Sequence, residues 1–192
     1  VWVIALASLA QFMLHMSWVL YTKFKFGWGP GQVGWSLFAV GVVSAISQGV
    51  LLRPLLARFT PQQLAVAGLS VAALSYLGFG LATQGWMLYA VILLGLIGGT
   101  AQAAMQSIVS NAADSTRQGQ TLGAVTSLSS LMAVFAPVVA LELLRWVAHR
   151  PPGDWLIGLP FFVCAALQLT AAIVAWRFFR THQSLRPQPV SA

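Results

Sequence analysis

The chain is 192 residues long; 58% of its residues are hydrophobic and only 7% are charged. A soluble domain is about a quarter charged, so a globule surrounded by water is excluded and one embedded in lipid is expected. The net charge of +7 does not point to nucleic acid, because the 10 basic residues stand in ones and twos at the ends of apolar runs and form no stripe that could track phosphates.

Uncharged runs cover 1–22, 26–52, 59–113, 118–141 and 155–176. A membrane helix needs roughly 20 apolar residues to cross about 30 Å of hydrocarbon, so four runs hold one crossing each and the long run holds two. The runs are continuous rather than alternating, which excludes barrel strands. Backbone that must satisfy itself in lipid is then helical.

The first helix is predicted near 1–22, ending before Lys23 and Lys25, with Gln11 and His15 four residues apart on one face. The second, near 31–52, pairs Ser44 with Gln48 and spaces the small residues Gly41, Ala45 and Gly49 for close packing. The third, near 63–83, offers only Ser70, Ser75 and Tyr76, and the segment Thr83 to Trp86 ("TQGW") turns the chain. The fourth, near 86–109, pairs Gln102 with Gln106 and spaces Gly95 and Gly99.

The stretch "SNAADSTRQGQTLGAV" (110–125) supplies the next connection. Asn111, Asp114, Arg117 and Gln118 are costly in hydrocarbon, where a charged side chain at a helix centre costs about 2.5–3.5 kcal/mol. The fifth helix, near 120–143, pairs Thr126 with Ser130 and contains Pro137, which is expected to bend it. The sixth, near 155–176, carries Gln168 and Thr170. Residues 1–176 therefore read as one six-helix bundle, and 177–192 as a polar, disordered tail.

Polar faces inside a membrane point at a bundle interior or a watery cavity; the alternative role is hydrogen-bonded glue between helices. The pairs fall on the first, second, fourth and fifth helices, so these are expected to line a cavity with the third and sixth outside. The candidate wall is Gln11, His15, Ser44, Gln48, Gln102, Gln106, Thr126 and Ser130. His15 is either a proton relay, since histidine changes charge near neutral pH, or a neutral structural residue.

Catalysis is not expected. "GLSVA" at 68–72 is a poor echo of a nucleophile elbow. There is no His-Glu-x-x-His motif, no cysteine–histidine cluster and no phosphate-binding glycine loop, so neither metal nor cofactor is called for. Cys164 is the sole cysteine and reads as a small core residue.

An even number of crossings puts both ends on one side. That side collects Arg53, Arg58, Arg117, Arg177, Arg180 and Arg186 against Lys23, Lys25, Arg145 and Arg150 on the other, so the positive-inside rule makes it cytoplasmic. Trp18, Trp28, Trp35, Trp86, Trp146 and Trp155 then fall at the outer interface, and Trp2 and Trp176 at the inner one. The chain opens on Val1 without a basic start or cleavage pattern, and a piece of a longer protein is expected.

The segments "WVLYTKFKFGW" (18–28), "RPLLARFTPQQ" (53–63), "TQGWMLY" (83–89) and "RQGQTLGAVTSLSSL" (117–131), with Ala136-Pro137, occur in order along the chain. On these residues the chain resembles the C-terminal half of a major facilitator superfamily transporter, most nearly the tetracycline/proton antiporter branch. The resemblance implies twelve helices in two six-helix halves, each built of two inverted three-helix repeats, with alternating access to a central site. It implies an N-terminal six-helix half as partner, a small-molecule substrate, protons, and a bacterial inner membrane. It also implies a cytoplasmic loop motif, matched here at Arg58 with Gln118 and Gly119 in the corresponding later loop. Arg53, Ala57 and Thr60 depart from that motif's Gly, Asp and Gly. The branch's intramembrane Asp and second-helix His correspond to Ala72 and Ser44, so both ionisable positions are absent.

The expected function is proton-coupled efflux of an amphipathic, drug-like solute. An uncoupled permease of the same fold, for a metabolite or sugar, and a non-transporting membrane scaffold are the alternatives.

Overall fold

Proline, glycine and threonine set where the helices start and stop. Helix α1 (Trp2–Phe26) ends on Gly27, whose φ of 66° lies in the left-handed region that glycine enters freely. The Gly27 N–H donates to Lys23 O and the Trp28 N–H to Thr22 O, closing the helix end. After Gly29, α2 (Pro30–Ile46) begins with a proline that has no N–H to lose. Thr60 caps α4 (Pro61–Leu81): its Oγ1 accepts from Gln63 N at 3.3 Å, and Gln63 Oε1 accepts from Thr60 N at 3.1 Å.

This computed structural model describes residues 2–112, 118–151 and 154–183. Among them lie six helical spans long and apolar enough to cross a membrane: Trp2–Phe26, Pro30–Arg58, Pro61–Leu81, Gly85–Ile108, Gly119–Val147 and Trp155–Thr181. No strand occurs among the described residues. The predicted all-α, six-helix architecture is the one observed, and the turn falls at "TQGW", between α4 and α5 (Gly85–Gly98).

Several boundaries differ from the expected ones. The second span runs on to Arg58 as α3 (Leu52–Arg58), because Leu55 and Leu56 continue the apolar run past Arg53. After α6 (Thr100–Ala112), α7 (Gln118–Val147) starts at Gln118 and runs through Pro137. The last helix, α8 (Leu159–Gln183), continues past 176, so Arg177 and Arg180 stand on it rather than in a tail. Asp114 and Arg117 of the expected loop, and 184–192 of the expected tail, lie outside the described residues.

The second and fourth spans carry irregular backbone in their interiors that periodicity did not reveal. The second passes through a π-helical turn, Ser47–Leu51, and the fourth breaks at Gly99 between α5 and α6. The two meet: Ser47 Oγ donates to Leu96 O at 2.7 Å, while within the fourth span Thr100 Oγ1 donates to Ile97 O at 2.7 Å. Non-helical backbone at membrane depth is tolerated where protein or a cavity covers it.

The bundle holds two apolar clusters, one toward each end. One gathers Met13, Trp18, Tyr21, Tyr76, Phe79, Phe161 and Cys164, with Tyr21 OH bonded to Phe79 O. The other gathers Ala7, Leu64, Leu69, Ala101, Ala104, Ala171 and Ala175. The third and sixth spans run through both and are the most buried, contrary to the expectation that they lie outside. Small residues allow this. A Cβ added at Gly158 would fall on the Gly80 backbone, and one added at Gly68 would come within 2.6 Å of Ala101 Cβ. The Gly41 and Gly49 positions expected to pack closely instead have open space beside them. Trp18, expected at an interface, is a buried core residue whose Nε1 donates to Ser36 Oγ at 3.0 Å.

Candidate functional site

Between the two clusters the helices do not close. A cavity of about 410 Å³ lies there, walled by the first four spans and the sixth, with the Ser47–Leu51 turn and the Gly99 break at its side. Drug-sized sites run from about 300 to 1,000 Å³, so a medium-sized organic solute fits.

Five of the predicted wall residues come together here: Gln11, His15, Ser44, Gln48 and Gln102. Gln106 does not reach the wall, since α6 turns it to the exposed surface one helical turn beyond Gln102. Thr126 and Ser130 are also exposed and away from the cavity. The hydroxyl that α7 turns inward is Ser129, which lies 3.2 Å from Ser8 Oγ on α1 and ties those helices together. Of the expected loop motif, Arg58 is exposed at the end of α3, and Gln118 and Gly119 open α7. Ala72 and Ser44, the positions where the resemblance implies ionisable residues, both line the cavity.

The inner wall contains residues on helices that the sequence reading had assigned to the outside. Tyr76 of α4 donates its hydroxyl hydrogen to Gln11 Oε1 at 2.8 Å. This engages the acceptor end of the Gln11 carboxamide. Ser75 of α4 and Gln168 of α8 are buried beside the cavity. The Gln168 Oε1 atom is buried with no hydrogen-bond partner, an arrangement that costs about 1–3 kcal/mol. His15 Nδ1 lies 2.7 Å from Gln11 O. A carbonyl only accepts, so the proton sits on Nδ1, and a neutral His15 ring offers Nε2 as an acceptor.

Among the described residues no aspartate, glutamate, lysine or arginine lines the cavity. Its wall combines carboxamides, hydroxyls and one imidazole with Trp18, Phe79 and aliphatic side chains. Such a wall offers shape and uncharged hydrogen-bonding groups. Among the described residues no group of three or more His, Cys, Asp or Glu is arranged to hold a metal. Ser75, Tyr76 and Gln168 were visible in the sequence as polar residues in apolar runs, but single polar residues give no face to follow.

A family model described as Major Facilitator Superfamily matches residues 1–192. The tetracycline resistance protein, class D, of Salmonella ordonez is 31% identical over 164 residues, covering 82% of this chain and 42% of that protein. The class G protein of Vibrio anguillarum is 32% identical over 149 residues, 77% of this chain and 38% of that protein. The class C protein of Escherichia coli is 29% identical over 147 residues, 76% of this chain and 37% of that protein. The chain thus spans about two fifths of the length of these curated relatives.

Proposed function

Because this chain belongs to the major facilitator superfamily of membrane transporters, we propose that it forms one six-helix half of an exporter for an amphipathic, drug-like solute. Alternating access would rock this bundle against an N-terminal six-helix half, with protons entering in exchange. The membrane would be a bacterial inner membrane, with both ends of this segment cytoplasmic. Arg58, Gln118 and Gly119 would then face the cytoplasm.

One observation carries the reading: a largely apolar cavity with several carboxamides and hydroxyls in its wall, between two apolar clusters and bordered by irregular backbone in the second and fourth spans. A span held only for structure has no use for such a level, whereas a transport site must offer polar groups at membrane depth. The exposed faces of the second and fifth spans would meet the partner half.

The test is uptake of tetracycline into everted vesicles that carry the full-length protein. Uptake that needs a proton gradient and stops when the gradient is collapsed is the expected result. Uptake that ignores the collapse would favour the uncoupled permease, a reading helped by the fact that no carboxylate among the described residues lines the cavity. Absence of transport for any solute would leave the scaffold. His15→Asn is expected to weaken the coupling to protons; unchanged transport and pH dependence in that variant would remove His15 from any relay.

A further inference from the structure

Helix α1 presents Gln11, His15 and Trp18 to the cavity, at the i, i+4 and i+7 positions of one face. Two contacts fix the hydrogen-bonding sense of the first two. The Tyr76 hydroxyl donates to Gln11 Oε1 at 2.8 Å, and the Tyr76 ring is itself buried in an apolar cluster. The carboxamide is thus held with its oxygen engaged and its NH2 group left to donate. His15 Nδ1 donates to Gln11 O at 2.7 Å, which leaves Nε2 of the neutral ring as an acceptor. Both side chains are exposed, and neither Gln11 Nε2 nor His15 Nε2 has a hydrogen-bond partner among the described residues.

Gln48 and Gln102 also line the cavity, but a carboxamide held at neither end turns to suit its guest. They add hydrogen-bonding capacity without setting its direction. The α1 pair does set it: a donor and, one helical turn further on, an acceptor, with Cβ atoms about 5–6 Å apart. Trp18, a turn beyond His15, meets Phe79 edge-on at 5.0 Å between ring centres, and both rings line the cavity. Along this face the order is donor, acceptor, aromatic ring.

We propose that Gln11 and His15 together recognise a carboxamide carried on an aromatic body. The Gln11 NH2 donates to the amide oxygen of the solute, His15 Nε2 accepts from its amide N–H, and the body lies against Trp18 and Phe79. Tyr76 is a positioning residue that acts through the Gln11 oxygen. The proposal rests on the reading of this chain as half of an exporter, and it names the substrate class of that site. An ester of the same shape supplies the acceptor and lacks the donor, so His15 Nε2 is left unpaired beside it and affinity falls.

The test is equilibrium binding of two radiolabelled probes with one ring system, 2-naphthamide and methyl 2-naphthoate, to the purified full-length protein in detergent. A mildly alkaline buffer keeps imidazoles neutral. His15→Asn retains an N–H that can serve Gln11 O and removes the Nε2 acceptor; His15→Ala gives the same readout should the asparagine variant not fold. Wild type is expected to bind the amide about fivefold or more tighter than the ester. His15→Asn should lose that preference with ester affinity unchanged, and Tyr76→Phe should weaken both probes and keep the preference. A merely structural His15 would shift both affinities together and leave their ratio alone. A ratio unchanged in His15→Asn, or no preference in wild type, would overturn the proposal and leave the pair to contacts with the partner half. Unchanged affinities in Tyr76→Phe would overturn the positioning role. Folded wild type that binds neither probe would overturn the proposal too, and if that protein still exports tetracycline the exporter reading survives. The expected binding pattern without export of any solute in vesicles would instead sink the exporter reading, which keeps the two failures apart.

Discussion

The third and sixth spans have 50% of their central residues buried inside this bundle, while the second and fifth have 11%. All four are apolar enough to cross a membrane, so hydrophobicity does not sort them. In lipid an apolar side chain gains little by leaving acyl chains for protein, and close packing between small residues decides which helices associate. The third span buries Ala65, Gly68, Ala73 and Gly80, and the sixth buries Gly158, Ala165, Ala171, Ala172 and Ala175. The second and fifth instead turn Trp35, Phe38, Val42, Leu131, Val134, Phe135 and Val138 outward. Buried spans make the scaffold, and exposed ones wait for lipid or for the proposed partner half.

The sharpest way to break this contrast is one methyl group placed on each kind of span. Gly158→Ala sets a Cβ against the Gly80 backbone, where no flexible side chain can give way. A loss of about 1–3 kcal/mol, or failure to fold, is expected. Gly41→Ala, on the second span, meets nothing within 4 Å and should change stability by less than about 0.5 kcal/mol. Thermal unfolding of the full-length protein in detergent checks both. A larger loss at Gly41 than at Gly158 would reverse the assignment of scaffold and exposed spans.

A smaller effect sharpens the contrast at the cavity, where a scaffold span contributes to the site. Tyr76→Phe keeps the ring in its cluster and removes only the hydroxyl that engages Gln11. Hydrogen bonds between membrane helices average about 0.6 kcal/mol, so the loss of stability should be near that. The freed Gln11 carboxamide loses its orientation, and solute export is expected to fall about fivefold. Full export activity in this variant, measured in everted vesicles, would return Tyr76 to a purely structural role.

How much of this was legible beforehand follows from what each signal depends on. Span number and the "TQGW" turn rest on charge placement and local propensity, which a single sequence displays, and they were read correctly. Gln11, His15, Ser44, Gln48 and Gln102 share the cavity wall because four-residue spacing does put polar groups on one face. The same rule places Thr126 and Ser130 together on one face, which in this half is exposed rather than turned to the cavity, since a face says nothing about what it faces. Gln168 and Tyr76 have no polar neighbour four residues away in their spans, so periodicity offered no warning that two distant helices would bring them to one level. The π-helical turn at Ser47–Leu51 and the break at Gly99 form against each other, which makes them tertiary events without a local signature.

The smallest expected effect tests the exposed end of the comparison. Near the end of the fifth span Arg145 Nη1 and Glu142 Oε2 lie 3.3 Å apart, with side chains 78% and 62% exposed. Exposed pairs of this kind contribute between about 0 and 1 kcal/mol, and screening by water and salt favours the low end. Glu142→Gln should therefore leave the thermal midpoint of the full-length protein unchanged within error at ordinary salt. This residue is informative because its surroundings are defined only by what this bundle leaves open. If the substitution instead lowers stability markedly, and high salt does not reproduce the loss in wild type, Glu142 sits in a desolvated contact with a partner element. In that case the exposure of the fifth span reaches less far than the geometry of this half implies, and the boundary between scaffold and open face moves toward Trp146.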